Sequence, residues 1–331
     1  MIVSIDSLRD VTRQVILKSG YSAPDAEIIL DVIMYAQLRG NNQNIIKLVG
    51  AGMPANPDAG SIQRVKDTKL SAILDGGGNQ GMVVMTDATR LAIDKAGEHG
   101  FGIVGTRNTK TSTGAIGYYA RWMANEGYLG FIFSGSAEYV AMHGSTEAFF
   151  GTNPFAISIP TKDKPIVFDM ATAAIAYYGV LSAQSAGEAI PEGVAYDADG
   201  NITTDPAQAL AGAIRAFGGY KGAALSLIVE VLTRPLVGTS RKPDGKKDDV
   251  GNLVMAIDPE LLADDLDDFQ AGVSDLIQRL KATKKRDGVD EILVPGERGD
   301  RHYEAIMQAG AIEIEDNVWS QLQAMTDVTS D

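Results

Sequence analysis

The stretch "FFGTNPFAISIPTKDKPIVFDMATAAIA", residues 149–176, holds two short apolar runs, 155–159 and 165–169, of strand length. Ahead of the first run stands Asn153-Pro154, a turn-forming pair that needs no ligand to account for it. The same texture of short apolar runs separated by glycine extends toward the N-terminus. "LSAILDG", "FGIVGT" and "YLGFIFSGS" read as strands, with helices over "MVVMTDATRLAIDKAGEHG" and "GAIGYYARWMANEG" between them. Toward the C-terminus a helix is expected from about 221 to 232, then a polar loop, "SRKPDGKKDDVGN" at 240–252, and the strand "LVMAID". Leu266, Phe269, Val273, Leu276 and Leu280 mark one further amphipathic helix. Strands alternating with helices make this an α/β chain.

Two helices precede that block. In "DSLRDVTRQVILKSG", Leu8, Val11, Val15 and Ile16 recur at helical spacing and Gly20 supplies a left-handed stop. In "SAPDAEIILDVIMYAQLRG", Ser22 and Asp25 resemble a capping box with a shortened acid, and Gly40 closes the helix. After Gly40 come four amide side chains, Asn41, Asn42, Gln43 and Asn44, which hydrogen-bond but exchange no proton near neutrality.

Composition narrows the function. The 331 residues are 45% hydrophobic and carry a net charge of −14, so no surplus of Lys and Arg exists to displace counterions from a nucleic acid. The absence of cysteine rules out disulfides, thiolate nucleophiles and Cys-ligated zinc. The first ten residues show no secretory leader, and the most apolar helical stretch, 223–232, is far short of a membrane span, so we expect a soluble cytoplasmic protein. The acidic run 261–270 lacks the spacing of a calcium loop and reads as a solvated helix start.

"LDGGGNQGMVV" places Gly76, Gly78 and Gly81 in the G-x-G-x-x-G pattern between an expected strand and helix, the setting of a dinucleotide fingerprint. The acid that should follow at the end of the second strand is missing; Arg107 there would suit a 2′-phosphate instead. A Rossmann enzyme using this turn is therefore one reading, and a glycine-rich turn without a ligand is the other.

The opening stretch, together with "IPEGVAYDADGNITTDPAQAL", "GGYKGAALSLIVEVL" and "ILVPGE", resembles the malate/L-lactate/ureidoglycolate dehydrogenase family, the sulfolactate dehydrogenase-like group, from the first helices to about Leu322. The resemblance implies NAD(P)H-dependent reduction of 2-oxo acids or cyclic imino acids, or the reverse, by homodimers. It implies a non-Rossmann mixed-sheet domain for cofactor and substrate, 70–296, beside a helical domain built from 1–69 and 297–331. On that model "GGGNQG" becomes a structural turn. The cofactor residues it implies are Gly114 and Ala115 in "TGAIGYYA", Ser136, Asp169-Met170-Ala171, Lys221-Gly222 and Pro295-Gly296-Glu297. Lys221 has an independent case, because a lysine at a helix start opposes the helix dipole and gains from an anion. NADH and NADPH are not distinguished.

The resemblance fails on the side of the chemistry. Its Ser-His-Gly falls on Gln43, Asn44 and Ile45, its carboxylate-binding arginine on Leu48, a second histidine on Ser112, and its "RGK" on Tyr177, Tyr178 and Gly179. Candidates to replace these groups are Asn44 as a hydrogen-bond donor, Ser112, Tyr178 as a phenolic acid and His143 on the loop before "GTNP". His99 reads as a helix-dipole partner, and His302 as near the cofactor or simply exposed. Lys47, Thr152 and Tyr177 are candidate substrate contacts; the bland alternatives are a surface lysine, a turn residue and a space-filling aromatic. Two functions remain open: an NAD(P)H-dependent oxidoreductase acting on a C=O or C=N bond through an altered pocket, and a non-catalytic nucleotide-binding homologue.

Overall fold

The computed structural model describes residues 1–50, 52–110, 112–239 and 250–327. A short strand β1 (Ile2–Ser4) leads into α1 (Ile5–Lys18), where Ser4 Oγ accepts from the N–H of Ser7. In α2 (Ala23–Leu38) the expected box forms: Ser22 Oγ accepts from Asp25 N and donates to its carboxylate at 2.7 Å.

There follow β2 (Gln63–Asp67), β3 (Ser71–Asp75), α3 (Gly81–His99), β4 (Phe101–Thr109), α4 (Gly117–Asn125) and β5 (Leu129–Ser134). Next come β6 (Val140–Ala141), β7 (Ala148–Phe150), β8 (Phe155–Ile159) and β9 (Ile166–Met170), the last two being the strands of the opening stretch. Then come α5 (Tyr177–Ala186), β10 (Ala195–Tyr196), β11 (Ile202–Thr203), α6 (Pro206–Ala211), β12 (Ala213–Arg215) and α7 (Tyr220–Thr233). The chain closes with β13 (Val250–Ile257), α8 (Leu266–Lys281), α9 (Glu297–Ala309), β14 (Ala311–Glu313) and α10 (Asp316–Asp327).

The main sheet has the order β2-β3-β4-β13-β5-β8-β9. Only β3 and β4, joined through α3, run parallel; every other neighbouring pair is antiparallel. A doubly wound nucleotide fold requires consecutive parallel strands, so this sheet does not have that topology. β13 arrives from far along the sequence to fill the middle position, and β3, β5 and β8 alternate buried and half-buried residues. α3 packs on β4 and β13, and α4 on β5 and β8. Residues from α1 to α4 and from the main sheet form one continuous apolar core.

A smaller sheet, β11-β10-β12-β6-β7, has its own core with α5 and α6, centred on Val140, Phe150, Val180 and Ile214. β1 pairs antiparallel with β14, and α1 packs on α10, which ties the two ends of the described chain together. The β2–β3 hairpin brings residues 63–67 into the main sheet, so a domain boundary after residue 69 would cut that hairpin. Of the polar loop expected at 240–252, residues 240–249 lie outside the described residues, and the remainder opens β13. Asp265 caps α8, accepting from Asp268 N at 2.7 Å, which accounts for part of the acidic run. None of the residues of α8 is buried. No helix among the described residues is long and apolar enough to cross a membrane.

Candidate functional site

The segment 169–178 joins the two cores. At its start the Asp169 carboxylate accepts from Gly117 N at 2.8 Å, holding the head of α4. Burial raises its pKa to about 6, and the Gly117 hydrogen bond opposes that rise. Thr172 donates its N–H to Thr152 O at 2.9 Å, and its hydroxyl lies 2.7 Å from Ser226 Oγ on α7. Ala173 bridges Ala216, after which α5 begins with Tyr177 and Tyr178. Thus the tail of the opening stretch fastens α4, the Thr152 turn, α7 and α5 to one another.

The amide run is a set of turns. Asn41 Oδ1 accepts from Gln43 N at 2.8 Å, and Asn44 Oδ1 accepts from Ile46 N at 3.0 Å, capping a short 3-10 turn over Ile45–Leu48. That turn buries Ile45 and Leu48 and with them Lys47, which is only 3% exposed. Lys47 Nζ donates to Ser112 Oγ at 2.9 Å and lies 3.7 Å from the centre of the Tyr178 ring. Among the described residues no carboxylate pairs with it. Burial alone draws its pKa down to about 7, which places proton exchange by an amine in the neutral range. Burial, followed by the neighbouring Tyr177, pushes the Tyr178 phenol upward. Tyr177 stacks on Tyr139 at 4.0 Å, the space-filling role weighed for it above.

Ser112 is held from several sides. Its carbonyl accepts from Gln80 Nε2 at 3.0 Å, and its hydroxyl oxygen accepts from Gly114 N at 3.1 Å. Behind it runs a buried polar chain: Thr113 Oγ1 to Ser134 Oγ at 3.2 Å, Ser134 to Asn252 Oδ1 at 2.7 Å, and Asn252 Nδ2 to Thr106 Oγ1 at 2.9 Å. This chain fastens the loop before α4 to β5, β13 and β4.

Two helix heads were candidates for a phosphate. At α3 the Gln80 side chain takes the place: Oε1 accepts from Met82 N at 2.5 Å and from Val83 N at 3.4 Å. Gly76 packs against Asn108 O, Gly81 against Ser112 O, and Arg107 pairs with Asp75 at 3.4 Å. The dinucleotide reading of "GGGNQG" is therefore corrected: the donors that a pyrophosphate would need are already satisfied. At α4 no described hydrogen bond uses the N–H groups of Ala115 and Ile116, and the N-cap residue Ile116 offers no side-chain cap, the Asp169 carboxylate reaching Gly117 N instead. Gly114, at φ +72°, turns the chain into that head. Two adjacent N–H groups without a described partner, just before a helix N-terminus, are of the kind that can hold a phosphate.

The other expected residues spread along the same surface and beyond it. Ser136 Oγ accepts from Thr152 N at 2.8 Å, and Lys221 is exposed at the uncapped start of α7. Gly222 packs so closely on Phe217 that a side chain has no room. Met170 closes β9 opposite Phe155, and Ala171 packs on the smaller core. Pro295 O accepts from Val167 N at 3.2 Å; Glu297 pairs with Lys281 and accepts from Val294 N, so both its oxygens have protein partners. His143 is exposed beside Tyr220, 6.3 Å between ring centres, and has no described contact with Lys47, Ser112 or Tyr178. His99 lies in the last turn of α3 beside Glu98, and His302 packs on Gly40 in a groove of about 630 Å³ that also holds Glu313, Glu315 and Asp316. That groove contains no group from the loops around Ser112.

The sequence reading missed Gln80 and the Thr113–Ser134–Asn252–Thr106 chain and underrated Lys47. For Lys47 a signal existed: one cation inside "NIIKLVG", flanked on both sides by apolar residues, is placed to be buried.

The malate/L-lactate dehydrogenase family model matches residues 3–323. The chain is 33% identical to a malate/(S)-sulfolactate dehydrogenase of Methanothermus fervidus, over 99% of this chain and 98% of that one. It is also 33% identical to a Δ1-pyrroline-2-carboxylate reductase of Burkholderia ambifaria, over 81% and 83%. The crystal structure of a malate dehydrogenase from Entamoeba histolytica superposes with a TM-score of 0.91 at 26% identity, covering 100% of this chain and 99% of that one. With the mixed, largely antiparallel sheet already described, the chain belongs to the malate/L-lactate dehydrogenase family of NAD(P)-dependent oxidoreductases.

Proposed function

We propose that this protein reduces a C=O or C=N bond of a small metabolite, or runs the reverse oxidation, in a pocket rebuilt for a substrate less anionic than an ordinary 2-oxo acid. The carrying observation is Lys47, buried against Ser112 and Tyr178 with no carboxylate partner among the described residues. Leu48, the position where the resemblance calls for a carboxylate-binding arginine, is 2% exposed and apolar. The Ala115 and Ile116 N–H groups, with Gly114 before them, would hold a coenzyme phosphate, and Ser136 and Lys221 lie on the coenzyme side in this reading. The bound coenzyme supplies the hydride. We assign the active form to a homodimer, because α7 leaves Leu225, Leu227, Ile228 and Val231 exposed along one side and α8 buries no residue within the chain.

The test is a fluorescence titration with NADH and NADPH, followed by turnover of pyruvate, oxaloacetate, pyruvamide and Δ1-pyrroline-2-carboxylate. We expect coenzyme binding, and faster reduction of the amide or the imine than of the two oxo acids. Rapid malate or lactate oxidation by the purified protein would contradict the altered pocket. Coenzyme binding with every substrate inert would favour a non-catalytic homologue.

A further inference from the structure

Ser112 has an unusual hydrogen-bond inventory. Its hydroxyl oxygen accepts from two donors, Lys47 Nζ at 2.9 Å and Gly114 N at 3.1 Å, which uses both lone pairs. The hydroxyl proton then has no described acceptor in the protein, and Ser112 lies two residues before Gly114, on the approach to α4. Lys47 donates to the same oxygen from the buried side, over the Tyr178 ring. The assembly is a one-way donor chain, ammonium to hydroxyl to whatever lies in front of Ser112.

We propose that Ser112 donates the proton that completes reduction and that Lys47 replaces it from behind. This rests on the function proposed above and narrows its substrate to a carbonyl or a neutral imine, since an iminium that arrives protonated needs no proton. Hydride addition to the carbon of the double bond leaves the electron pair of the broken π bond on the heteroatom. That pair takes the Ser112 hydroxyl proton, the serine oxygen takes a proton from the Lys47 ammonium, and the resulting neutral amine regains a proton from solvent. In the oxidative direction each transfer reverses, so Lys47 must start as the free amine.

The surroundings suit an amine that changes charge. Tyr178 on α5 is the titratable group that faces Nζ, with Tyr177 beside it and Tyr139 stacked behind. Asp169 on β9 is engaged with Gly117 N, and no described carboxylate pairs with Lys47 to fix its charge. Removal from water with only a hydroxyl and a ring for company brings the amine's titration to about pH 7. Ser112 is the group in contact with substrate; Lys47 acts through it.

The experiment compares wild type with Ser112→Ala, Lys47→Met and Lys47→Arg. It measures kcat/KM for reduction of pyruvamide, pyruvate and Δ1-pyrroline-2-carboxylate between pH 5.5 and 9.5, NADPH affinity by fluorescence, and Lys47 titration by NMR of 15N-lysine-labelled protein. In wild type, carbonyl reduction should fall about tenfold per pH unit above neutrality. Ser112→Ala and Lys47→Met should lose on the order of 10²-fold or more, with NADPH affinity within about threefold. Lys47→Arg, whose charge is permanent, should lose the pH break as well as the rate. Lys47→Met at near wild-type rate on the carbonyls, a break that survives in that variant, or a Lys47 resonance titrating like a surface lysine would each overturn the proposal. Imine turnover indifferent to Lys47, with both carbonyls inert, would overturn it too. Should NADPH bind while all three compounds stay inert, the proposed function fails separately and the NMR experiment decides. A neutral midpoint that moves when Ser112 becomes Ala supports the donor chain; an alkaline one overturns it.

Discussion

The heads of α3 and α4 are both approached through glycine, yet Gln80 closes the first, while ahead of the second two N–H groups stay open among the described residues. At α3, Gln80 folds back onto Met82 N and Val83 N, so three glycines serve a turn that has no donor to offer. At α4 the Asp169 carboxylate takes Gly117 N, and among the described residues no hydrogen bond uses the N–H groups of Ala115 and Ile116 that follow Gly114. A glycine pattern thus marks where the backbone bends tightly, while a ligand site requires that the donors exposed by the bend remain unused. The closed head also serves the open one, because the far end of Gln80 clamps the carbonyl of Ser112.

The largest effect should come from Gly114→Val. Gly114 has φ +72°, and a Cβ there would collide with Val32 Cγ1. A left-handed β-branched residue costs about 1–2 kcal/mol and overpacking about 1–3 more. Calorimetry should show a marked drop in Tm, and the folded fraction should lose NADPH affinity. Gly78→Ala on the closed head, where the obstacle is the end of the Asn56 side chain, should cost about 1 kcal/mol and leave that affinity unchanged. Equal losses of coenzyme at both heads would break the comparison.

Next in size is the cost of burying Lys47. Its folded pKa of about 7 lies below the usual lysine value of about 10.4, so between those pH values the unfolded chain holds the extra proton. Wild-type stability should therefore rise with pH across that window, and the penalty is complete below pH 7. Lys47→Met should be the more stable protein at pH 6.5, by on the order of 2–4 kcal/mol at most, with the advantage shrinking toward pH 10. Denaturant melts at four or five pH values would show this; a constant difference would mean that Lys47 carries the same charge in both states.

Gln80→Ala should cost about 1 kcal/mol through loss of the α3 cap. By releasing Ser112 it should also lower carbonyl reduction severalfold with little change in coenzyme affinity, and a purely structural cap would leave the rate unchanged. The smallest effect is expected for Tyr178→Phe, which keeps the ring under Lys47. Activity within about threefold of wild type would assign Tyr178 to the platform, whereas a far larger loss would restore the phenol as the acid.

How far the sequence could be read differs between elements. The helix α2, the strands β8 and β9 and the amphipathic α8 were legible because their signals are local: caps, short apolar runs and helical spacing. β1, β2 and β14 were not, since three to five residues without strong patterning become strands only when a partner lies alongside. The sequence offers Asn44 as a donor to substrate; in the fold its amide oxygen caps the turn that carries Lys47 inward. Its side chain was visible in the sequence, and its employment was not.

By itself the sequence determined the α/β class, the family, the opening helices and the set of chemical groups available, because these depend on composition, periodicity and residues near one another in the chain. Tertiary structure alone decided which helix head stays open, that Lys47 is buried rather than solvated, and that it meets a serine 65 positions away. Hydrogen-bond saturation and desolvation are properties of neighbours in space, and for these groups the neighbours come from distant parts of the chain.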